Sequence, residues 1–286
     1  MRLVVKIAGA LLESDETVAS IAAQISELSK AGHDILVVHG GGRIFTTTLK
    51  RLGIESRFVG GLRVTDRETR DAALMVFGGL LNKKLAGAIS LAGQAAVGIS
   101  ATDSACFLAE PMSHDEVAGG LGFVGYLTGV NLPFIESLWR ENLVPVASCL
   151  GLGADGEIYN INADHMAAAC AEYCHAERLI FLTDVAGVLD GEEVMQVVSG
   201  ESVEELIRQK KVSGGMILKL EASKRALAGG VQQVRIVGGT RGNSLLSAAN
   251  GAKGLGTLVT PMFGTVDVAG DQTAEFMADD AKAAAR

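Results

Sequence analysis

Two periods of apolar and polar positions alternate along the chain. Short β-branched runs recur, each followed by a longer stretch whose apolar residues fall three and four positions apart. Arg2 to Ala8 reads as a first strand, Glu16 to Ala31 as an amphipathic helix with Ile21, Ile25 and Leu28 on one face, and Ile35 to Val38 as a second strand. That β-α-β order predicts parallel neighbours joined by a right-handed crossover, with their C-terminal ends side by side. Residues 54 to 65 alternate around Gly60-Gly61 and predict a hairpin or lid. Asp66 then stands where the N-cap of a long helix, Arg67 to Leu91, is expected.

Beyond that helix, Ala95 to Ile99 is a short buried strand, and the Gly-rich residues 106 to 129 are expected to be exposed hairpins at the mouth of a site. A helix near Pro133 to Asn142 leads into the strand Leu143 to Cys149, and Gly153 to Gly156 marks a turn. Asn160 to Asp164 opens an Ala-rich helix running to about His175. Asn162 and Asp164 are both acceptable caps for it, and the pattern does not separate them. A strand at Leu179 to Thr183, helices at Ser202 to Gln209 and Met216 to Gly229, and strands at Val231 to Val237 and Gly256 to Val259 complete the series. Such alternation predicts an α/β fold, a three-layer αβα sandwich on a mainly parallel central sheet, with ligands at the strand C-termini. Residues 1–260 are expected to form this domain. Residues 261–286 carry no strand pattern and are expected to be a flexible tail.

Composition narrows the picture. Apolar residues make up 48% of the 286 positions and aromatics only 5%, so the core is built from small aliphatic side chains, which suits parallel strands covered by helices. A formal charge of -8 argues against nucleic acid as a partner. Cys106, Cys149, Cys170 and Cys174 lack CxxC spacing and read as buried fillers. Lys6 interrupts the apolar start and three acidic residues follow at once, so a strand is expected there and not a signal peptide. No run approaches about 18 unbroken apolar residues, so a cytoplasmic protein without a membrane span is expected.

Candidate chemistry gathers at glycines. The run Ile35 to Gly42 ends a buried strand in three consecutive glycines ahead of a helix, which exposes bare N–H groups at a positive helix end and suits an anion. Lys6 lies in an apolar strand, where an unpaired ammonium is costly, so a function is expected of it. The P-loop, GxSxG and HExxH patterns are absent. Two GxGxxG matches, Gly120 to Gly125 and Gly151 to Gly156, run into extended residues and not into a helix. What remains is Lys6 with Gly9, Gly40 to Gly42, Arg63, Asn160, Asn162, Asp164, Thr183, Asp184 and Lys219 after Gly214-Gly215. Two lysines, glycine turns and no obvious base match phosphoryl transfer, which needs positive charge and N–H donors around three equatorial oxygens.

The segments VVKIAG, VVHGGG, GLRVTD, NINAD, LTDVAGVLDG and SGGMILK, in that order and spanning the chain to about Val259, resemble the amino acid kinase family. GLRVT with NINAD points to its acetylglutamate branch. The resemblance implies transfer of a phosphoryl group from ATP to the side-chain carboxylate of N-acetyl-L-glutamate, with the acceptor held in the N-terminal half and ATP in the C-terminal half. It implies that Lys6 and Lys219 stabilise the group in flight, that Asp164 holds both ammoniums, and that the N–H groups of Gly9, Gly41 and Gly42 receive developing charge. Arg63 would clamp a carboxylate and Asn160 would bond the amino acid end. Asp184, Val185, Ala186, Gly187, Val188 and Leu189, with Lys211, Val212 and Ser213, would line the ATP pocket, and Mg2+ would sit mainly on the phosphates. Neighbouring possibilities are a kinase for N-acetylaminoadipate or a carrier-linked glutamate, or a non-catalytic ligand sensor on the same fold.

The sequence departs from the family pattern at Ala8, which stands where a glycine is usual and is tolerable only at negative φ. The first strand starts without the preceding helix that arginine-inhibited, hexameric relatives use, which implies a homodimer that arginine does not strongly inhibit.

Overall fold

Strand β1 (Arg2–Ile7) is buried at every position from Leu3 onward, and β2 (Asp34–His39) pairs with it in parallel. The computed structural model describes residues 1–113, 120–240 and 242–261. Within them follow β3 (Phe58–Val59), β4 (Leu62–Arg63), β5 (Ala96–Ile99), β6 (Phe107–Pro111), β7 (Val124–Val130), β8 (Val144–Ser148), β9 (Leu150–Gly153) and β10 (Ile158–Ile161). The C-terminal half adds β11 (Arg178–Thr183), β12 (Leu189–Asp190), β13 (Glu193–Val194), β14 (Val197–Ser199), β15 (Gln233–Gly238) and β16 (Thr257–Thr260). The main sheet runs β14-β16-β15-β11-β1-β2-β8-β5, parallel throughout except for β15 against β16. Successive side chains of β1 enter opposite layers. Leu3, Val5 and Ile7 pack with Ile21, Ile25 and Leu28 of helix α1 (Asp15–Lys30). Val4 packs in the other layer with the Ala-rich helix Ala163–Tyr173 and with Leu220 of the helix Gly215–Ala228. The three-layer sandwich expected from the alternation is therefore present.

Lys6 lies between Val38 and Phe181 in register, on the Val4 side of the sheet and one residue from the end of β1. Both helices that carry its partners cover that same side.

Residues 106–129 differ from the exposed hairpins expected of them. β6 and β7 pair antiparallel and close with β9 and β10 into a four-stranded barrel, with Phe107, Ala109 and Leu127 buried. Glycine content misled there because Gly125 is a packing glycine: a Cβ on it would lie 2.7 Å from Glu110 O, and on the neighbouring strand β9 a Cβ at Gly151 would likewise lie 2.5 Å from Ala109 Cβ. Residues 114–119 of that stretch lie outside the described residues. So does the expected tail apart from Pro261.

The hairpin at 54–65 is present as β3 and β4, turned by Gly60 and Gly61, both at positive φ. Asp66 caps the next helix by accepting from the Thr69 amide at 2.8 Å. That helix, Arg67–Leu91, is long and apolar enough to cross a membrane, yet half of its most apolar stretch is buried inside the protein. Its middle, Leu74–Leu81, is π-helical, and the widened turn brings Phe77 and Leu81 onto the glycine loop after β2. The four cysteines are buried and free, and no metal-holding group of His, Cys, Asp and Glu occurs among the described residues.

Candidate active site

β2 ends at His39, and helix α2 (Gly42–Arg51) begins three residues later without a side-chain cap. The first N–H groups of α2 are thus left for a ligand, at the positive end of a ten-residue helix. A Cβ on Gly41 would meet Leu81 Cδ1 at 2.2 Å, whereas one on Gly42 would meet nothing within 4 Å. Gly41 is required by packing, and Gly42 faces open space. The loop after β1 approaches from the other side, where a Cβ on Gly9 would lie 2.7 Å from Gly41 Cα. The two glycine turns therefore touch backbone to backbone. Ala8 has φ of −68°, so its side chain is accommodated without strain.

His39, fully buried, fixes the start of this loop. Its Nδ1 donates to Gly40 O at 3.1 Å and its Nε2 accepts from Asn82 Nδ2 at 3.2 Å. Burial pushes its pKa down to about 4 against the opposing Gly40 bond, so the ring is neutral at physiological pH.

Asn162, not Asp164, caps the helix Ala163–Tyr173: its Oδ1 accepts from the amides of Asp164 and His165 at 3.0 and 3.2 Å. The Asp164 carboxylate turns inward instead. Its Oδ1 lies 2.7 Å from Lys6 Nζ, as a close ion pair without hydrogen-bond alignment, and its Oδ2 accepts from Lys219 Nζ at 3.2 Å. All three are buried, at 5%, 5% and 9% exposure for Lys6, Asp164 and Lys219. Burial drives the Asp164 pKa up, but the two ammoniums outweigh it and hold the carboxyl below its ordinary value. Lys219 is pushed down, by burial first and by the Lys6 charge second, with Asp164 opposing both. Two ammoniums on one carboxylate leave an excess of positive charge at the bottom of a cleft. Such a centre attracts a further anion.

Lys6 and Asp164 line one of two cavities, and the other lies at the end of β11. The first, of about 220 Å3, is lined by Lys6, Gly9, Gly40, Gly41, Gly42, Arg63, Asn160 and Asp164, together with apolar Phe45, Phe58, Phe77 and Val124. Arg63 is 8% exposed, and no carboxylate among the described residues pairs with it. Burial lowers its pKa. Asn160 donates to Thr65 Oγ1 at 3.2 Å, and Thr65 donates onward to Arg63 O at 2.8 Å. The second cavity, of about 290 Å3, is lined by Asp184, Val185 and Ala186 from the end of β11, with Val194, Gln196, Gly238, Thr240, Leu255 and Gly256. Arg43 Nη2 lies 3.8 Å from Asp184 Oδ2, so a residue of the first turn of α2 reaches the carboxylate of the second cavity.

Not every candidate reaches a cavity. Gly187 packs on Thr257 and Val194, and Val188 is fully buried with its amide donating to Thr257 Oγ1 at 2.8 Å, so both shape the loop from behind. Leu189 is exposed in β12, Lys211 is ion-paired to Asp190 at 2.7 Å, and Val212 is buried. Ser213 lies among the residues just before the helix Gly215–Ala228 and lines neither cavity. The apolar walls, including Phe45, Phe58 and Cys149, carry no signal in the sequence, because they are ordinary core-type residues until the fold brings them together.

The amino acid kinase family model matches residues 1–238 of this chain. The chain belongs to the amino acid kinase family. Among its relatives in that family is the acetylglutamate kinase of Koribacter versatilis, 49% identical over 260 residues that cover 90% of this chain and 98% of that one. The acetylglutamate kinase of Acidobacterium capsulatum is 47% identical over 83% of this chain and 90% of its own. Among solved structures, a Streptococcus mutans protein superposes with a TM-score of 0.77 at 27% identity, covering 91% of this chain and 99% of the other. The sheet order and helix layers described above are thus those of this family's fold.

Proposed function

We propose that this chain transfers the γ-phosphoryl group of ATP to the side-chain carboxylate of N-acetyl-L-glutamate, giving N-acetyl-L-glutamyl 5-phosphate and ADP in arginine biosynthesis. The observation that carries this reading is the Lys6–Asp164–Lys219 cluster: Lys6 and Asp164 line the cavity holding Arg63 and Asn160, and Lys219, bound to Asp164 from behind, feels the charge of Asp184 in the second cavity. The names of the relatives support the acceptor.

The acceptor carboxylate is ionised at neutral pH and needs no general base. Its oxygen attacks the γ-phosphorus while the bond to the β–γ bridging oxygen breaks, and that oxygen leaves with ADP. Charge spreads over the three equatorial oxygens in flight. Lys6 and Lys219 meet it with ammoniums already fixed by Asp164, so little reorganisation accompanies the reaction. The N–H groups at Gly9, Gly41 and Gly42 receive the rest from the helix end. Arg63 takes the α-carboxylate and Asn160 the acetamido end. Both Asp164 oxygens face lysines, and Asp184 is the carboxylate lining the second cavity, so this donor set fits Mg2+ carried mainly by the nucleotide phosphates, where it neutralises charge.

The enzyme acts in the cytoplasm as a homodimer. An exposed apolar stripe on the long helix, with Met75, Leu80 and Leu91 at 61%, 59% and 91% exposure, supports a self-associating face. A light-scattering mass of twice 29.6 kDa is expected, and a hexamer would contradict it.

The test of the activity is ATP-dependent acylphosphate formation, trapped with hydroxylamine, across acetylglutamate, acetylaminoadipate, glutamate, aspartate and UMP. Acetylglutamate is expected to be the preferred acceptor. Turnover of aspartate or UMP alone would overturn the substrate, and turnover of none would favour a sensor.

A further inference from the structure

Arg63 is held in a seat shared between the first turn of α2, next to the glycine loop, and the hairpin at 54–65. Its guanidinium lies between two rings, 4.8 Å from the centroid of Phe45 and 4.5 Å from that of Phe58. Two ring contacts restrict how the planar group can turn, and its N–H groups point outward along its edge. Along that edge Nη1 donates to Ser56 Oγ and Nη2 donates to Thr46 Oγ1 at 2.8 Å, with a longer approach to Gly42 O at 3.5 Å. Thr46 Oγ1 in turn donates to Gly42 O at 2.8 Å, and the Phe45 amide donates to Gly41 O, also at 2.8 Å.

Phe45 and Thr46 therefore tie the arginine directly to Gly41 and Gly42. One turn of helix, rising about 5.4 Å, separates the loop from the seat. Helical turns are stiff compared with loops, and the seat's remaining partners, Ser56 and Phe58, close on it from the hairpin side.

We propose that the first turn of α2 is a gauge of acceptor length: Thr46, Phe45 and Phe58 position Arg63 at a fixed separation from Gly41 and Gly42, so that one spacing between the two carboxylates of the acceptor is favoured. This rests on the acyl amino acid kinase reading above. A shorter or longer diacid that engages Arg63 brings its distal carboxylate short of, or past, the phosphoryl group, and loses turnover through misplacement.

Phe45 is fully buried and its replacement threatens the fold, so the test uses Thr46 and Phe58, both exposed. For wild type, Thr46→Val, Thr46→Ser, Phe58→Leu and Phe58→Tyr, kcat/KM is measured with N-acetylaspartate, N-acetylglutamate and N-acetylaminoadipate, alongside KM for ATP and Tm. The expected result is that Thr46→Val and Phe58→Leu lower the preference for acetylglutamate over both other diacids by about tenfold, with KM for ATP and Tm unchanged. Thr46→Ser and Phe58→Tyr should keep the preference. A preference unchanged in Thr46→Val and Phe58→Leu, or activity lost equally on all three acceptors, overturns the gauge alone. Wild-type protein inactive on all three acceptors overturns the kinase reading and the gauge with it.

Discussion

Asn162 takes the helix-capping amides of Asp164 and His165, and this leaves the Asp164 carboxylate to turn between Lys6 and Lys219. Two residues separated only by Ala163, equivalent as caps in the sequence, thus divide the labour, one structural and one electrostatic. The division places a buried carboxylate where two buried ammoniums depend on it.

Removing that carboxylate without changing its shape should be costly. Asp164→Asn leaves two ammoniums facing each other in a desolvated site, and is expected to destabilise the fold by about 3–5 kcal/mol at pH 7. The pH dependence has a definite sign. The folded carboxyl lies below its ordinary 3.8, so its contribution is fully present above about that value and is lost as pH falls through the folded pKa. Urea unfolding of wild type and variant should differ most near neutrality and converge in acid. Equal stabilities at pH 7 would contradict the account.

His39 carries a second pH signature, at higher pH. Its pKa is about 4 in the fold against an ordinary 6.5, so below 6.5 the unfolded chain takes up the proton first. Stability is therefore expected to fall by about 3 kcal/mol as pH drops from 6.5 to 4 through this group. His39→Gln should be less stable than wild type at pH 7, with a flatter profile across that window. Parallel profiles would show that the ring titrates normally.

The glycine turns separate packing from chemistry. A Cβ on Gly9 meets the Gly41 backbone, so Gly9→Ala must push the two loops apart and is expected to lose about 1–3 kcal/mol of stability along with turnover. A Cβ on Gly42 meets open space, so Gly42→Ala should keep its Tm and lose activity only. Measuring Tm beside kcat for both variants checks this. A fully active Gly42→Ala would remove that turn from the phosphoryl site.

Much of this was legible in the chain. The buried strands, the β-α-β order, the Asp66 cap and the Gly60-Gly61 hairpin all follow from local periodicity and turn chemistry, and each is present. Lys6 was conspicuous because an ammonium in an apolar strand demands a partner, and that partner is Asp164. The barrel formed by β6, β7, β9 and β10 was not legible, since its closure depends on non-local pairing and its glycines imitate loop glycines. Nor were Phe45 and Phe58, which look like core residues until Arg63 lies between them. Lys219 was ambiguous for a related reason: helical spacing alone does not say which helix face meets a carboxylate.

The central claim is that Asp164 holds two ammoniums ready for the phosphoryl group in flight. The kcat of Lys219→Ala, with acetylglutamate and ATP both saturating, tests it most directly. A fall of about 10² or more is predicted at a temperature where the variant is folded, because the lost charge acts in the transition state. An unchanged kcat would contradict the claim and leave Lys219 as a structural partner of Asp164.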